Sequence, residues 1–122
     1  MDRLKEFICD GKNFFSIDFS GIRGDSGYAE LIEAIKPLVA NYPKNSLYTI
    51  TNIGNIRYDS DTKKIALDLL NHNKPYVKYA AIFGVDGIKK MLVMALMKLC
   101  GRKNIFFAFS REKAIEILLQ QE

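Results

Sequence analysis

Along the chain the apolar positions switch between a two-residue period and a three-to-four-residue period, and the switches fall at turn-forming residues. Residues 3–9 read as a short strand, Asp10-Gly11-Lys12 as a hairpin turn, and 13–19 (NFFSIDF) as the returning strand with Phe15, Ile17 and Phe19 on one face. The sheet is therefore predicted to open with an antiparallel pair. Over 26–41 the residues Leu31, Ile32, Ile35, Leu38 and Val39 share a helical face. Pro37 lies inside that stretch, where it removes a backbone bond and crowds the carbonyl four residues back, so a kink or an end is expected near Lys36.

The same alternation continues to the end of the chain. Residues 47–52 (LYTITN) form a β-branched strand, and Asp59, Ser60, Asp61 and Thr62 offer N-caps for a helix reaching about His72, with Asn73-Lys74-Pro75 ending it. Residues 79–85 (YAAIFGV) are a continuous apolar run, as in a strand covered on both faces; Asp86-Gly87 then opens a helix that Gly101 closes. A strand over 104–109 (NIFFAF) leads to Ser110 as N-cap of a last helix, with Glu112 in its first turn and Ala114, Ile115 and Leu118 docking it. The order, a β-hairpin followed by αβαβαβα, predicts one α/β domain over residues 1–122. Its sheet should be mixed and mostly parallel, with four or five strands, right-handed crossovers and about four helices.

One helix departs from the ordinary amphipathic pattern. Nine of the ten side chains from Met91 to Cys100 (MLVMALMKLC) are apolar. Ile88, Met91, Leu92, Ala95, Leu96 and Leu99 follow the spacing of a core stripe, and Val93, Met97 and Cys100, with Met94 beside them, form a second stripe that needs a cover. The cover can come from within, through the N-terminal hairpin or through Ile117 and Leu119 of the last helix, or from a partner. Burying three or four such side chains is worth about 5 to 10 kcal/mol, against about 4 to 15 kcal/mol lost on association, so the stripe alone barely sustains a dimer. The flexible thioethers of Met94 and Met97 suit an adaptable binding surface.

Composition narrows the class. A chain of 122 residues buries about two thirds of its unfolded surface without staples, and neither metal nor cofactor is expected. Cys9 and Cys100 read as small hydrophobes with reduced thiols. The N-terminal stretch resembles no targeting segment, and the longest apolar run falls short of the ~20 residues that span a bilayer, so a cytoplasmic protein with no stable membrane insertion is expected. Residues 1–56 hold 6 Lys and Arg against 7 Asp and Glu, whereas residues 57–122 hold 12 against 7. That basic half could meet nucleic acid, anionic lipid or an acidic protein. Nucleic acid is set aside, because the lysines are dispersed, Trp is absent, and the Phe residues fall in strand-like runs where they should be core.

Few residues suggest chemistry. Gly21, Gly24 and Gly27 punctuate a strand-to-helix loop but match neither a P-loop nor a dinucleotide fingerprint, and Arg23-Gly24-Asp25 within it reads as a chance tripeptide. His72, at a helix C-terminus, has no metal-binding company. The strands end in Phe19, Asn52 and Val85, which excludes the acid pair and phosphoacceptor of a receiver domain, and no Ser/Thr-rich flavin-phosphate loop follows the first strand. Lys63-Lys64 and Lys89-Lys90 fall in first turns of helices, where positive charge opposes the macrodipole. In a parallel sheet both helix starts lie at the strands' carboxyl edge, so Ser60, Thr62, Lys63, Lys89 and Lys90 could line an anion-accepting rim, with Ser60 or Thr62 as a phosphorylation site. The alternative is that Asp59, Asp61 and Asp86 cap those helices and neutralise the lysines.

Taken in order, the hairpin, the Asp59-Ser60 strand-to-helix junction, the stretch Tyr79-Ala80-Ala81-Ile82-Phe83-Gly84-Val85-Asp86-Gly87, the lysine-started apolar helix, Gly101-Arg102-Lys103, the Ile-Phe-Phe-x-Phe strand and the closing Ser-Arg-Glu-Lys-Ala helix resemble the STAS-like family related to the sporulation anti-sigma-factor antagonist. The resemblance spans nearly the full chain and is most specific over 79–117. It implies a mixed sheet of four or five strands and no enzymatic activity. Members of that family switch partners through a serine in an Asp-Ser-Ser-Gly sequence; here the junction reads Asp59-Ser60-Asp61-Thr62, so only its first two residues agree. The plan is also shared with lipid-transfer domains of the CRAL-TRIO type, which implies a helix gating a pocket for a fatty acid or similar ligand. Two functions are expected. One is a non-enzymatic, regulatory binding module that meets a protein partner or a second copy through Val93, Met94, Met97, Cys100 and the adjoining Lys89 and Lys90. The other is a small cytosolic carrier of an apolar anion, its head group met by the lysines and its tail by the methionines.

Overall fold

A computed structural model describes residues 3–22, 24–56 and 59–121. Strands β1 (Leu4–Cys9) and β2 (Lys12–Asp18) pair antiparallel across a two-residue turn. Asp10 and Gly11 both take positive φ there, 51° and 74°, the backbone that joins two right-twisted strands most directly. Helix α1 (Asp25–Ala40), β3 (Leu47–Asn52), α2 (Ser60–Asn73), β4 (Val77–Phe83), α3 (Gly87–Cys100), β5 (Ile105–Phe107) and α4 (Arg111–Leu119) follow. The five strands lie in the spatial order of their sequence, with β2 to β5 parallel. This is the mixed, mostly parallel α/β sheet with a leading hairpin that the alternation predicts.

Because each crossover moves one strand along the sheet in the same direction, right-handed connections put α1, α2 and α3 on one face. Helix α4 closes the chain on the other. There Phe7, Phe14, Tyr48, Tyr79 and Phe106 stack across all five strands, with ring centroids 5.2, 5.4, 5.9 and 6.1 Å apart in turn. Ala114 and Leu118 of α4 pack on that ladder and are fully buried. On the opposite face Phe15, Ile17 and Phe19 meet Tyr28, Ile32, Ile35 and Val39 of α1.

Helix ends follow local chemistry. Asp59 accepts from the backbone N–H groups of Asp61 and Thr62 and its own N–H donates to the Thr62 hydroxyl, a reciprocal capping box. Asp86 accepts from Lys89 N–H at the start of α3, and Ser110 from Lys113 N–H at the start of α4. Cys9 and Cys100 are free thiols.

Three sequence expectations are corrected. Of the kink or end expected near Lys36, the end does not occur, because α1 runs through Pro37 to Ala40; Ile35 and Val39, on either side of the proline, are fully buried, and their packing outweighs the ~3 kcal/mol that an interior proline costs. Strand β4 begins and ends two residues earlier than the apolar run suggests, since Val77 rather than Val85 is the buried end. Strand β5 stops at Phe107, and Phe109, expected in the core, is 100% exposed. Of the loop between β2 and α1, Arg23 lies outside the described residues, as does the Asp25 side chain.

Candidate functional site

Two neighbouring strands carry small residues on the face that the three helices cover. Reading across the sheet, Phe15 pairs with Thr49, Thr49 with Ala80, and Ala80 with Ile105, so the middle rungs are the shortest. Above them α2 presents Ile65, Ala66, Leu69 and Leu70, all only half-buried, and the gap between sheet and helix is a cavity of about 130 Å³. Helix α1 adds Tyr28 and Ile32, and α3 adds Val93 and Leu96. Interiors are ordinarily filled to crystal-like density, which makes a void of this size in so small a domain a feature of the site.

The polar residues of the lining sit mainly at its ends. At the carboxyl edge of the parallel strands are Thr62 and Lys89, from the first turns of α2 and α3. At the opposite edge are Asn73, the last residue of α2, and Arg102, just beyond α3. Among the described residues no acidic one lines the cavity.

Arg102 is the unusual member. It is 6% exposed, and its Nη2 is buried with no hydrogen-bond partner among the described residues. Nε donates to Asn104 Oδ1 at 3.3 Å, and Nη1 reaches the Leu70 carbonyl only at 3.5 Å. Burial is the main influence on the guanidinium and pushes its pKa below the ordinary arginine value, with Cys100 acting weakly the other way. The backbone explains how the side chain arrives there. Gly101, at φ 70°, ends α3 in a left-handed turn in which Gly101 N–H donates to the Lys98 carbonyl and Arg102 N–H to the Met97 carbonyl. In that motif the residue after the glycine folds back on the last turn and is commonly apolar; here it is an arginine. The Arg102 position is absent from the candidate residues read in the sequence, and the Gly101-Arg102 pair at a helix end is the signal that could have found it.

The structure rotates α3 relative to the expected stripes: Leu96 of the expected core stripe is buried and Leu92 half-buried, while the rest of that stripe turns outward. Leu96 and Cys100 are buried, and Val93 and Met97 pack on Val77, Ala80, Ile82 and Ile105 of the sheet. Ile88, Met91 and Leu99, expected in the core, are 74%, 72% and 63% exposed, with Met94 beside them also exposed. The cover of Val93 and Met97 is thus the sheet itself, not Ile117 and Leu119, which belong to α4 on the far face. Of the residues expected to meet a partner, Val93 and Met97 are half-buried against the sheet, Cys100 is buried, and Met94 is exposed.

The expected rim is split as well. Thr62 and Lys89 meet at the cavity, whereas Ser60 and Lys63 are exposed outside it, and Lys90 lies 5.3 Å over the Phe107 ring. The Thr62 hydroxyl is held in the α2 capping box and the residue is buried, so it is not presented for phosphorylation. Asp59 and Asp86 do cap the two lysine-bearing helices. His72 Nδ1 lies 2.9 Å from Asn73 Oδ1, away from any cluster of metal-ligating groups among the described residues. No helix among those residues is long and apolar enough to cross a membrane.

No protein-family model matches the chain, and no curated protein matches it either.

Proposed function

We propose that this chain is a non-enzymatic binding domain that holds a small apolar ligand in the cavity between α2 and the sheet. One observation carries the reading: an apolar void of about 130 Å³, roofed by half-buried Ile65, Leu69 and Leu70, in a fold whose other face is filled. An apolar cavity of ~150 Å³ stays dry and takes up benzene, so the space is of the size that takes one small apolar molecule. The STAS-like resemblance, resting on residues 79–117 and the leading hairpin, agrees with a module that works by binding, and the CRAL-TRIO-type plan with a ligand beneath helices. The test is titration with octan-1-ol followed by methyl NMR. Shifts concentrated on Ile65, Leu69, Val93 and Leu96 are expected; shifts spread over the surface, or none, would overturn the reading.

A second reading, self-association through α3, is favoured by the exposed stripe of Ile88, Met91 and Leu99. A second copy packed antiparallel about Leu92 would bring Lys98 opposite Asp86 of the partner subunit. Magnitude places this reading second. A 14-residue helix is about 21 Å long, and one face of it offers ~200 Å², well short of the ~800 Å² per partner of a stable interface. Sedimentation at millimolar concentration checks it: a weak dimer lost in Met91→Glu would support it, and a monomer throughout would remove it. Met97 cannot serve as the test residue, because it packs on the sheet.

A further inference from the structure

We infer that the cavity takes an amphiphilic monocarboxylate, its carboxylate bound by Arg102 and its tail running beneath α2 toward Lys89. The inference rests on the cavity being a ligand site and adds which end binds charge, and what charge. It differs from a head group placed at the lysine rim, because the buried cation is at the opposite edge of the sheet.

The argument starts from an imbalance. A guanidinium removed from water keeps its charge and must replace the hydration it loses. Arg102 lines the cavity, yet among the described residues no acid of that lining answers it, and Nη2 has no partner. The nearby carboxyl ends of α2 and α3, marked by the Leu70 and Met97 carbonyls, offset part of the charge. Neither supplies the anion that an isolated buried cation calls for.

Geometry then selects the anion. Asn104 donates through Nδ2 to the carbonyls of Val77 and Lys78 at 3.1 and 2.9 Å, which fixes its Oδ1 to receive Arg102 Nε. With Nε so held, Nη2 is free and Nη1 is bound only at the limit of hydrogen-bond reach. Two donors on one planar fork match the two oxygens of a carboxylate. A single buried cation balances a single negative charge, so a dianionic phosphate would be left half-neutralised. Apart from Thr49 and Thr51, the walls between the two ends, among them Ile65, Leu69, Ala80, Ile82, Val93 and Leu96, are apolar and fit a hydrocarbon tail.

The experiment compares two probes of equal chain length, octanoate and octan-1-ol, by calorimetry on the wild type, Arg102→Met and Arg102→Lys. The wild type is expected to bind octanoate at least 10-fold more tightly than octan-1-ol. Arg102→Met should erase that preference while leaving octan-1-ol within about twofold, and should raise the melting temperature of the unliganded protein, because an unpaired buried charge has been removed. Arg102→Lys should recover part of the preference, a lysine keeping the charge without the fork. A purely structural arginine would give the opposite pattern: a lower melting temperature for Arg102→Met and equal losses for both probes. If neither variant folds, the wild-type ratio decides. Equal binding of the two probes overturns the carboxylate inference and leaves the cavity reading standing, and binding of neither overturns both.

Discussion

On the α4 side of the sheet, aromatic rings from all five strands form a continuous row beneath Ala114 and Leu118. One residue along the same strands, on the side of α1 to α3, the rungs shrink to Thr49 and Ala80 and a cavity opens. The strands are shared, so on the sheet itself the difference lies in side-chain volume. It teaches how a small domain can hold a ligand site without losing its fold: the aromatic face supplies packing that does not depend on occupancy, and the other face leaves space. A face with a void and an unpaired arginine gives up stability, because each lining atom lacks contacts on one side.

Truncating the filled face should have the largest effect. Phe14 is fully buried between Phe7 and Tyr48. Phe14→Ala is expected to cost about 3 to 5 kcal/mol, the range for an aromatic side chain removed from a closed core. Urea unfolding measures it, and a cost under about 1 kcal/mol would mean that the α4 face is not the rigid half.

A sharper contrast comes from adjacent residues. Ala81 is fully buried on the ladder side and Ala80 lines the cavity. Ala81→Leu should overpack its face and cost about 1 to 3 kcal/mol, whereas Ala80→Leu should cost less than ~1 kcal/mol, or stabilise, by filling space already present. The same Ala80→Leu protein should bind octan-1-ol at least 10-fold more weakly. Equal destabilisation by the two changes would dissolve the distinction between the faces.

These contrasts also mark how far the sequence could be read. Element order, the Asp10-Gly11 turn, the Asp59 and Ser110 caps and the Gly101 stop all rest on local chemistry, and local chemistry is visible in one dimension. The rotation of α3 is not. Its two stripes are similarly apolar, and Lys89 shares the spacing of Val93, Leu96 and Cys100, which argues on paper against turning that face inward. In the fold Lys89 stands at the cavity's mouth, where a long aliphatic stem can lie along apolar walls while the ammonium reaches the edge. Thr49 and Ala80 look like ordinary strand residues until the parallel register sets them side by side. Arg102 was hidden for a related reason: its burial follows from the turn that Gly101 makes, not from any periodicity.

The smallest effect concerns the roof. Lys36 of α1 donates to Asp68 of α2 at 2.6 Å and pairs with Glu33 of its own helix at 3.0 Å. The Asp68 hydrogen bond, then that from Glu33, raises the Lys36 pKa above its ordinary 10.5. A raised lysine stabilises fully below the unfolded value and loses that contribution as pH climbs through the folded one, so the tie should hold at neutral pH and fail only above 10.5. Asp68 is largely exposed, which keeps the pair within the ~0.2 to 1 kcal/mol of screened surface bridges. Lys36→Met should therefore barely move the urea midpoint. Hydrogen exchange should register it more clearly, with faster exchange along α2, above the cavity, and no change along α4. Faster exchange in both helices would show that the two faces open together, and that the space beneath α2 is not an independently yielding part of the molecule.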